Sequence, residues 1–285
     1  VFISTTAKNF KGLKLMSKKY KTSHRVKNLP PYVFSKLNEK KQYYVNAGVD
    51  VIDLGIGAPD LPTPPFIIEQ LIKQMNNPKN FTYSTYNGCL EFRESVALFY
   101  KKRFNVTLDP EEEILTLIGS KEGIAHFVFA LIDPGNVVLV PDPGYPVYRM
   151  ATKLANGHDY SFPLKADNGF QPDFNLISND VKQKAKLMFL NYPGNPTASV
   201  ASEALFEEAI TFGKENQIAV ANDSAYHLIT FEDYKAPSIL QVDGAKEIAV
   251  EFGSLSKSFN MAGWRIGYVV GNKEMLKALS IVKSN

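Results

Sequence analysis

A lysine set among three serines directly after an apolar run is the sharpest chemical feature of this sequence: Glu251-Phe252-Gly253-Ser254-Leu255-Ser256-Lys257-Ser258-Phe259. A polar loop with a solvated lysine is the plain reading. Ser254-x-x-Lys257 also has the spacing of the nucleophile and lysine of penicillin-binding and serine-lactamase sites, which need Ser-Asp-Asn and Lys-Thr-Gly as well. Only Ser178-Asn179-Asp180 and Lys21-Thr22-Ser23 come near those partners, so that reading fails. The remaining reading makes Lys257 an imine-forming amine, which a neighbouring cation and partial desolvation render nucleophilic by lowering its pKa. Arg265 follows in Gly263-Trp264-Arg265-Ile266-Gly267, and its guanidinium fork suits bidentate phosphate binding.

Three further loops offer matching chemistry. Gly119-Ser120-Lys121-Glu122-Gly123 follows an apolar run and opens a helical pattern, so its free amides and hydroxyl can cradle a dianion. Asp223 and Tyr226 supply a carboxylate and a phenol after Ile218 to Ala221. Asn191-Tyr192-Pro193-Gly194-Asn195-Pro196-Thr197 carries two prolines and a glycine that fix Asn195. Other motifs fall away. Gly55-Ile56-Gly57-Ala58-Pro59-Asp60 has Asp where a dinucleotide fingerprint has its third glycine. Gly213-Lys214-Glu215 lacks the flanks of a phosphate loop, and His24, His126, His158 and His227 show no metal-ligand spacing, so no metal is expected.

The elements that must position these loops are short apolar runs alternating with helix-period segments. Val51 to Leu54, Ile114 to Ile118, Val137 to Val140, Leu187 to Leu190, Ile218 to Ala221, Ile248 to Phe252 and Ile266 to Val270 read as buried strands. Pro65 to Met75, Leu90 to Arg103, Glu122 to Leu131, Val147 to Leu154, Glu203 to Glu215 and Lys273 to Lys283 read as helices. The alternation implies an α/β three-layer sandwich with a mostly parallel sheet, whose ligands lie at the carboxyl ends of the strands.

Composition agrees. At 285 residues, 45% apolar and 21% charged, the chain reads as globular and soluble, and no apolar run reaches the roughly 18 residues of a membrane span. Cys89 is the single cysteine, which excludes an internal disulfide and points to a buried thiol in a reducing compartment, the cytoplasm. The net charge of +3 hides an asymmetry: eight basic and no acidic residues precede Asn28, leaving 24 basic against 29 acidic beyond, a net −5. Such an arm can bind nucleic acid or address an organelle. Here it is Lys-rich with one Arg and no apolar core, and neither nucleic acid nor membrane is expected as a partner. Met16 is an alternative start.

Asn191-x-Pro193-x-Asn195-Pro196-Thr197, Asp223-x-x-Tyr226, Ser254-x-Ser256-Lys257 and Gly263-Trp264-Arg265-x-Gly267, in this order, resemble the fold-type I, class I/II pyridoxal-phosphate aminotransferases. The resemblance runs from about Arg25 to the end. Val26-Lys27-Asn28-Leu29-Pro30-Pro31-Tyr32 and Asp53-Leu54-Gly55-Ile56-Gly57-Ala58-Pro59-Asp60 are similar to the branch with LL-diaminopimelate, aspartate and aromatic aminotransferases. It implies transamination between an amino acid and a 2-oxo acid, with pyridoxal 5'-phosphate linked to Lys257. By the same resemblance Asp223 holds the ring nitrogen, and Tyr226 and Asn195 hydrogen-bond the ring hydroxyl. Ser120, the Lys121 amide, Ser254, Ser256 and Arg265 bind the phosphate, and Tyr145 stacks on the ring. Tyr83 reaches the phosphate of a partner in a homodimer, while Gly57, Tyr32 and Asn195 line the substrate side.

The resemblance divides the chain into residues 1–46, a basic extension and an arm or part of a small domain, and 47–285, a cofactor-binding large domain ending in an inter-domain helix. Ala198 departs from the family's usual glycine and Ala58 from its usual acid. Family chains continue into a small domain that supplies an arginine for the substrate carboxylate, so the resemblance implies a C-terminally truncated chain and a weak cofactor binder. Otherwise Arg149 or Lys121 takes that carboxylate. A lyase or decarboxylase on the same fold, an inactive truncated chain and a regulatory protein are the alternatives.

Overall fold

Alternation along each strand sets the two faces of the sheet. In the computed structural model, which describes residues 21–30, 33–55 and 57–285 (side chains of Val33 and Phe34 excepted), three helices come first: α1 (His24–Lys27), α2 (Val33–Asn46) and α3 (Pro65–Met75). The sheet strands are β1 (Ile114–Leu117), β2 (Val137–Asp142), β3 (His158–Pro163), β4 (Ala185–Leu190), β5 (Ala219–Asp223), β6 (Ala249–Ser254) and β7 (Gly267–Gly271). Their order is β1-β7-β6-β5-β4-β2-β3, with β7 antiparallel to both neighbours and the other adjacent pairs parallel.

Successive side chains on a strand point to opposite faces. Met188 and Leu190 therefore join one core with Val137, Leu139 and Val220, while Leu187 and Phe189 join the other with Val138, Val140, Ala221 and Phe252. Two layers of helices then close the faces. Val96 and Tyr100 of α4 (Leu90–Phe104) pack into the first core. Ile124 and Phe127 of α5 (Ser120–Leu131) and Val147 and Tyr148 of α6 (Pro146–Leu154) pack into the second. After the short α7 (Asn179–Lys184), α8 (Glu203–Asn216) adds Leu205, Phe206 and Ile210 to the first core. Beyond the single turn α9 (Leu255–Ser258), α10 (Lys273–Ser284) adds Leu276 and Leu279 to the second. This is the three-layer α/β sandwich expected, and its sheet is mixed through β7 alone.

Three expectations need correction. Val51 to Leu54 is not a strand: among the described residues no strand runs beside it to take up its backbone groups, and Leu54 is 90% exposed. β3 was not expected, because His-Asp-Tyr-Ser-Phe-Pro has no apolar run; as an edge strand it buries only Phe162. Cys89 is exposed at the N-cap of α4 rather than buried. Residues 1–20, with most of the basic arm and Met16, lie outside the described residues. Among the described residues no helix is long and apolar enough to cross a membrane.

Candidate active site

Parallel pairing of β5 with β6 sets Asp223 opposite Phe252, so the carboxylate and the Lys257 turn leave the same edge of the sheet. Asp223 is 4% exposed. Tyr148 Oη donates to its Oδ2 at 2.8 Å, and Asn191 Nδ2 donates to its main-chain carbonyl at 2.7 Å. Oδ1 is buried without a partner. Burial pushes this carboxyl up to about 6, against the Tyr148 hydroxyl and the Ala225 amide, which pull it down. A buried acceptor left open costs about 1–3 kcal/mol. That fits a ligand N–H at this point, as a protonated pyridine nitrogen would provide.

Tyr226 and Asn195 meet beside it. Asn195 Nδ2 donates to Tyr226 Oη at 3.4 Å; burial, then the charge of Asp223, raises the phenol's pKa. The Asn195 amide donates to Asn191 Oδ1 at 2.7 Å, so the Asn191 side chain ties this loop to the end of β5.

Lys257 rides on α9. Ser254 caps this turn, its Oγ accepting from the Ser256 amide at 3.2 Å, and the Leu255 amide donates to the Ile266 carbonyl at 3.2 Å. Burial lowers the Lys257 pKa and the positive charge of Arg265 lowers it further, the direction an imine-forming amine needs. Lys257 Nζ lies 3.5 Å from the Gly57 carbonyl. Six residues after Gly57, Thr63 ties the chain to the turn beyond Lys257: its Oγ1 donates to the Asn260 carbonyl at 2.8 Å and accepts from Trp264 Nε1 at 3.0 Å.

An anion cradle closes the other end. Gly119 is the N-cap of α5 at φ 81° and ψ 149°, with no side-chain cap over the first-turn amides. A Cβ on Gly119 would collide with Nη2 of Arg265 and lie 2.9 Å from its Cζ. Glycine is therefore what lets the guanidinium approach the helix start. Gly267, opposite Ser254 on β6, comes so near that its Cβ would stand 2.9 Å from the Ser120 nitrogen. Ser120, Ser254 and Arg265 thus surround one helix N-terminus, where a phosphate gains from open amides and the helix dipole. Ser256 is buried on the same turn as Lys257. Tyr145, at the N-cap of α6, stands edge-on to Tyr148 at 5.9 Å, with Lys121 Nζ 6.0 Å from its ring centre.

One expected site residue is not brought into this group, and one cannot be placed. Tyr83 is fully exposed, and Tyr32 lies outside the described residues. Arg149 is engaged elsewhere: its guanidinium reaches Ser161 Oγ at 2.7 Å, Asp159 at 3.3 Å and Asp142 at 3.4 Å, which removes it as a carboxylate binder. Sequence reasoning missed Tyr148 and assigned no role to Asn191. Tyr148 follows Tyr145 by three residues on one helix, the spacing that places two side chains on one face, and that signal was available.

Known proteins are similar over nearly the whole chain. The sequence pattern of the family described as Aminotransferase class I and II matches residues 49–285. The LL-diaminopimelate aminotransferase of Aquifex aeolicus is 51% identical over 266 residues, covering 93% of this chain and 69% of that protein. That of Moorella thermoacetica is 49% identical over 263 residues, covering 92% and 67%. Among solved structures, substrate-bound BacF from Bacillus subtilis superposes with a TM-score of 0.88 at 39% identity, over 93% of this chain and 67% of that one. A Thermus thermophilus aspartate aminotransferase double mutant gives 0.85 at 27% identity, over 93% and 68%. The chain spans about two thirds of the length of these relatives. An open carboxylate, an activated lysine and an anion cradle on one sheet edge meet these likenesses in a single answer: the chain belongs to the class I and II aminotransferases, enzymes that depend on pyridoxal phosphate.

Proposed function

We propose that the cofactor is linked through Lys257 and that the amino donor is LL-diaminopimelate or a closely similar amino acid, with a 2-oxo acid as acceptor. The observation that carries the site is the buried, unpartnered Oδ1 of Asp223 on the sheet edge that Lys257 shares. The donor rests on the two relatives named LL-diaminopimelate aminotransferase, each about half identical to this chain. When bound, pyridoxal phosphate supplies a carbonyl that condenses with amines and a ring that takes up the electrons of the substrate's Cα–H bond.

The residues of this chain do the rest. Lys257 Nζ holds the cofactor before substrate arrives, then takes and returns the substrate's α-proton. Asp223 Oδ1 accepts from the protonated ring nitrogen and keeps it charged. Tyr226 and Asn195 orient the ring hydroxyl, and Tyr145 covers the ring face. Ser120, the Lys121 amide, Ser254, Ser256 and Arg265 hold the phosphate. Gly57, with Tyr32, lines the substrate side. A homodimer completes the site through Tyr83, and two features favour it: Tyr83 is wholly exposed, and α3 buries no residue although it carries Phe66, Leu71 and Met75. Residues 47–285 form the cofactor-binding domain, residues 1–46 the arm, and the enzyme acts in the reducing cytoplasm, where the free thiol of Cys89 persists.

The experiment is borohydride reduction of the cofactor-loaded protein followed by peptide mapping, with the label expected on Lys257. Label on another lysine overturns the assignment. A panel of amino acids in the half-reaction then reads the donor: LL-diaminopimelate should bleach the cofactor's visible band fastest. Release of ammonia with a 2-oxo acid from a single substrate would mean a lyase instead.

A further inference from the structure

Asp223 offers two carboxylate oxygens, and the structure treats them unequally. Oδ2 accepts from Tyr148 Oη at 2.8 Å, and the Ala225 amide also favours the ionised carboxyl; Oδ1 is buried with no hydrogen-bond partner. Tyr148 is 1% exposed and cannot swing away, because its ring stacks on Phe189 of β4 at 4.6 Å and 16° and meets Tyr145 edge-on at 5.9 Å. The main chain at Asp223 is held as well, by Asn191 Nδ2 on its carbonyl. We infer that Tyr148 is a positioning residue for transamination: by occupying Oδ2 it turns Oδ1 toward the cofactor's ring nitrogen and holds the shared proton on that nitrogen.

The inference rests on the proposed role of Asp223 and adds to it a donor that acts through the carboxylate. Carboxylate and ring nitrogen share one proton, which sits either on nitrogen, with the acid ionised, or on oxygen, with the acid neutral. A hydroxyl donating to Oδ2 stabilises the ionised acid more than the neutral one and so favours the proton on nitrogen. The groups that raise its phenol, after burial, are Asp223, Tyr145 and Tyr226, so at neutral pH Tyr148 is a neutral donor.

The test compares the holoenzyme with its Tyr148→Phe variant, loaded with cofactor labelled at the ring nitrogen with the heavy nitrogen isotope. Tyr148→Phe keeps the ring that stacks on Phe189 and removes only the hydroxyl. The nitrogen resonance is expected to move from the protonated toward the unprotonated position, and kcat to fall by about tenfold or more with KM little changed, as for loss of one hydrogen bond to a charged acceptor. Fluorotyrosine at position 148, a stronger donor differing by one atom, is expected to move the resonance the opposite way, and it reads the same contact should Tyr148→Phe fold poorly. An unmoved resonance in either protein, with cofactor trapped normally on Lys257, overturns the positioning role and leaves the proposed function intact. Failure to trap cofactor on Lys257 in the unmodified enzyme counts against that function itself.

Discussion

Replacing Gly119 with alanine tests whether the cradle at the start of α5 is a phosphate site that requires a missing side chain. Gly119 sits at φ 81° and ψ 149°, a region essentially reserved to glycine, so Gly119→Ala costs about 1–3 kcal/mol of backbone strain. The new methyl also falls on Nη2 of Arg265 and must push the guanidinium from the helix start. If that contact carries one hydrogen bond from Arg265 to phosphate, its loss is worth about 1.5–3 kcal/mol, or roughly 10- to 150-fold in affinity. Arg265 is exposed, so solvent screening favours the lower part of that range. Titration of the apoprotein with pyridoxal phosphate, with inorganic phosphate as competitor, measures it. A cycle with Arg265→Ala supplies the control, since the glycine change should add little once the guanidinium is gone. Unaltered affinity in Gly119→Ala, or fully additive losses in the double variant, would refute the cradle.

Two further outcomes follow from single positions. Asp223 titrates at about 6 in the folded apoprotein against 3.8 for the unperturbed group, so between these values the folded state holds more protons than the unfolded one and stability falls as pH rises. Against Asp223→Ala, which lacks that proton, urea unfolding should show the wild type losing about 2 kcal/mol between about pH 4 and about pH 7, with turnover of the variant under a tenth; parallel pH profiles would contradict the buried carboxyl. Ala198 holds φ 55°, which costs an L-residue about 1–2 kcal/mol, so Ala198→Gly should raise stability by about 0.5–1 kcal/mol after the extra freedom of unfolded glycine is counted. A lower urea midpoint would show that the turn tolerates alanine without strain.

The sheet was legible because its strands are buried on both faces. Val137 to Val140 and Leu187 to Leu190 must be apolar at every position when helices cover both sides, and such runs stand out in the sequence. The same logic explains the errors. β3 lies at the edge and buries one side chain, so most of its positions can be polar without cost to the core. Val51 to Leu54 has the composition of a strand but no neighbour, and composition carries no information about neighbours. Glu251 illustrates a further limit: it stands inside a run that reads as a buried strand, yet its residue type does not say what satisfies its charge. It is 1% exposed and accepts from Tyr100 Oη, Ser238 Oγ, Asn222 Nδ2 and the Ile239 amide. Those donors come from three separate places in the chain, and only folding assembles them.

The site divides along the same line. Residues that would touch a cofactor, such as Lys257, Asp223 and Arg265, were legible because their chemistry is unusual where they stand: an amine, an acid and a guanidinium just past apolar runs. Residues that act on those groups stand out less: a tyrosine on a helix or an asparagine at a strand end is ordinary in any sequence, and only the spacing of Tyr148 from Tyr145 hints at its place. Tyr148 matters through a 2.8 Å contact with a residue 75 positions away, and Asn191 through contacts that join two loops. Sequence spacing can propose which groups react. Which of their lone pairs is left open is set by long-range packing, here by the stacking of Tyr148 on Phe189, and the direction of Asp223 Oδ1 is therefore a property of the second core as much as of the motif.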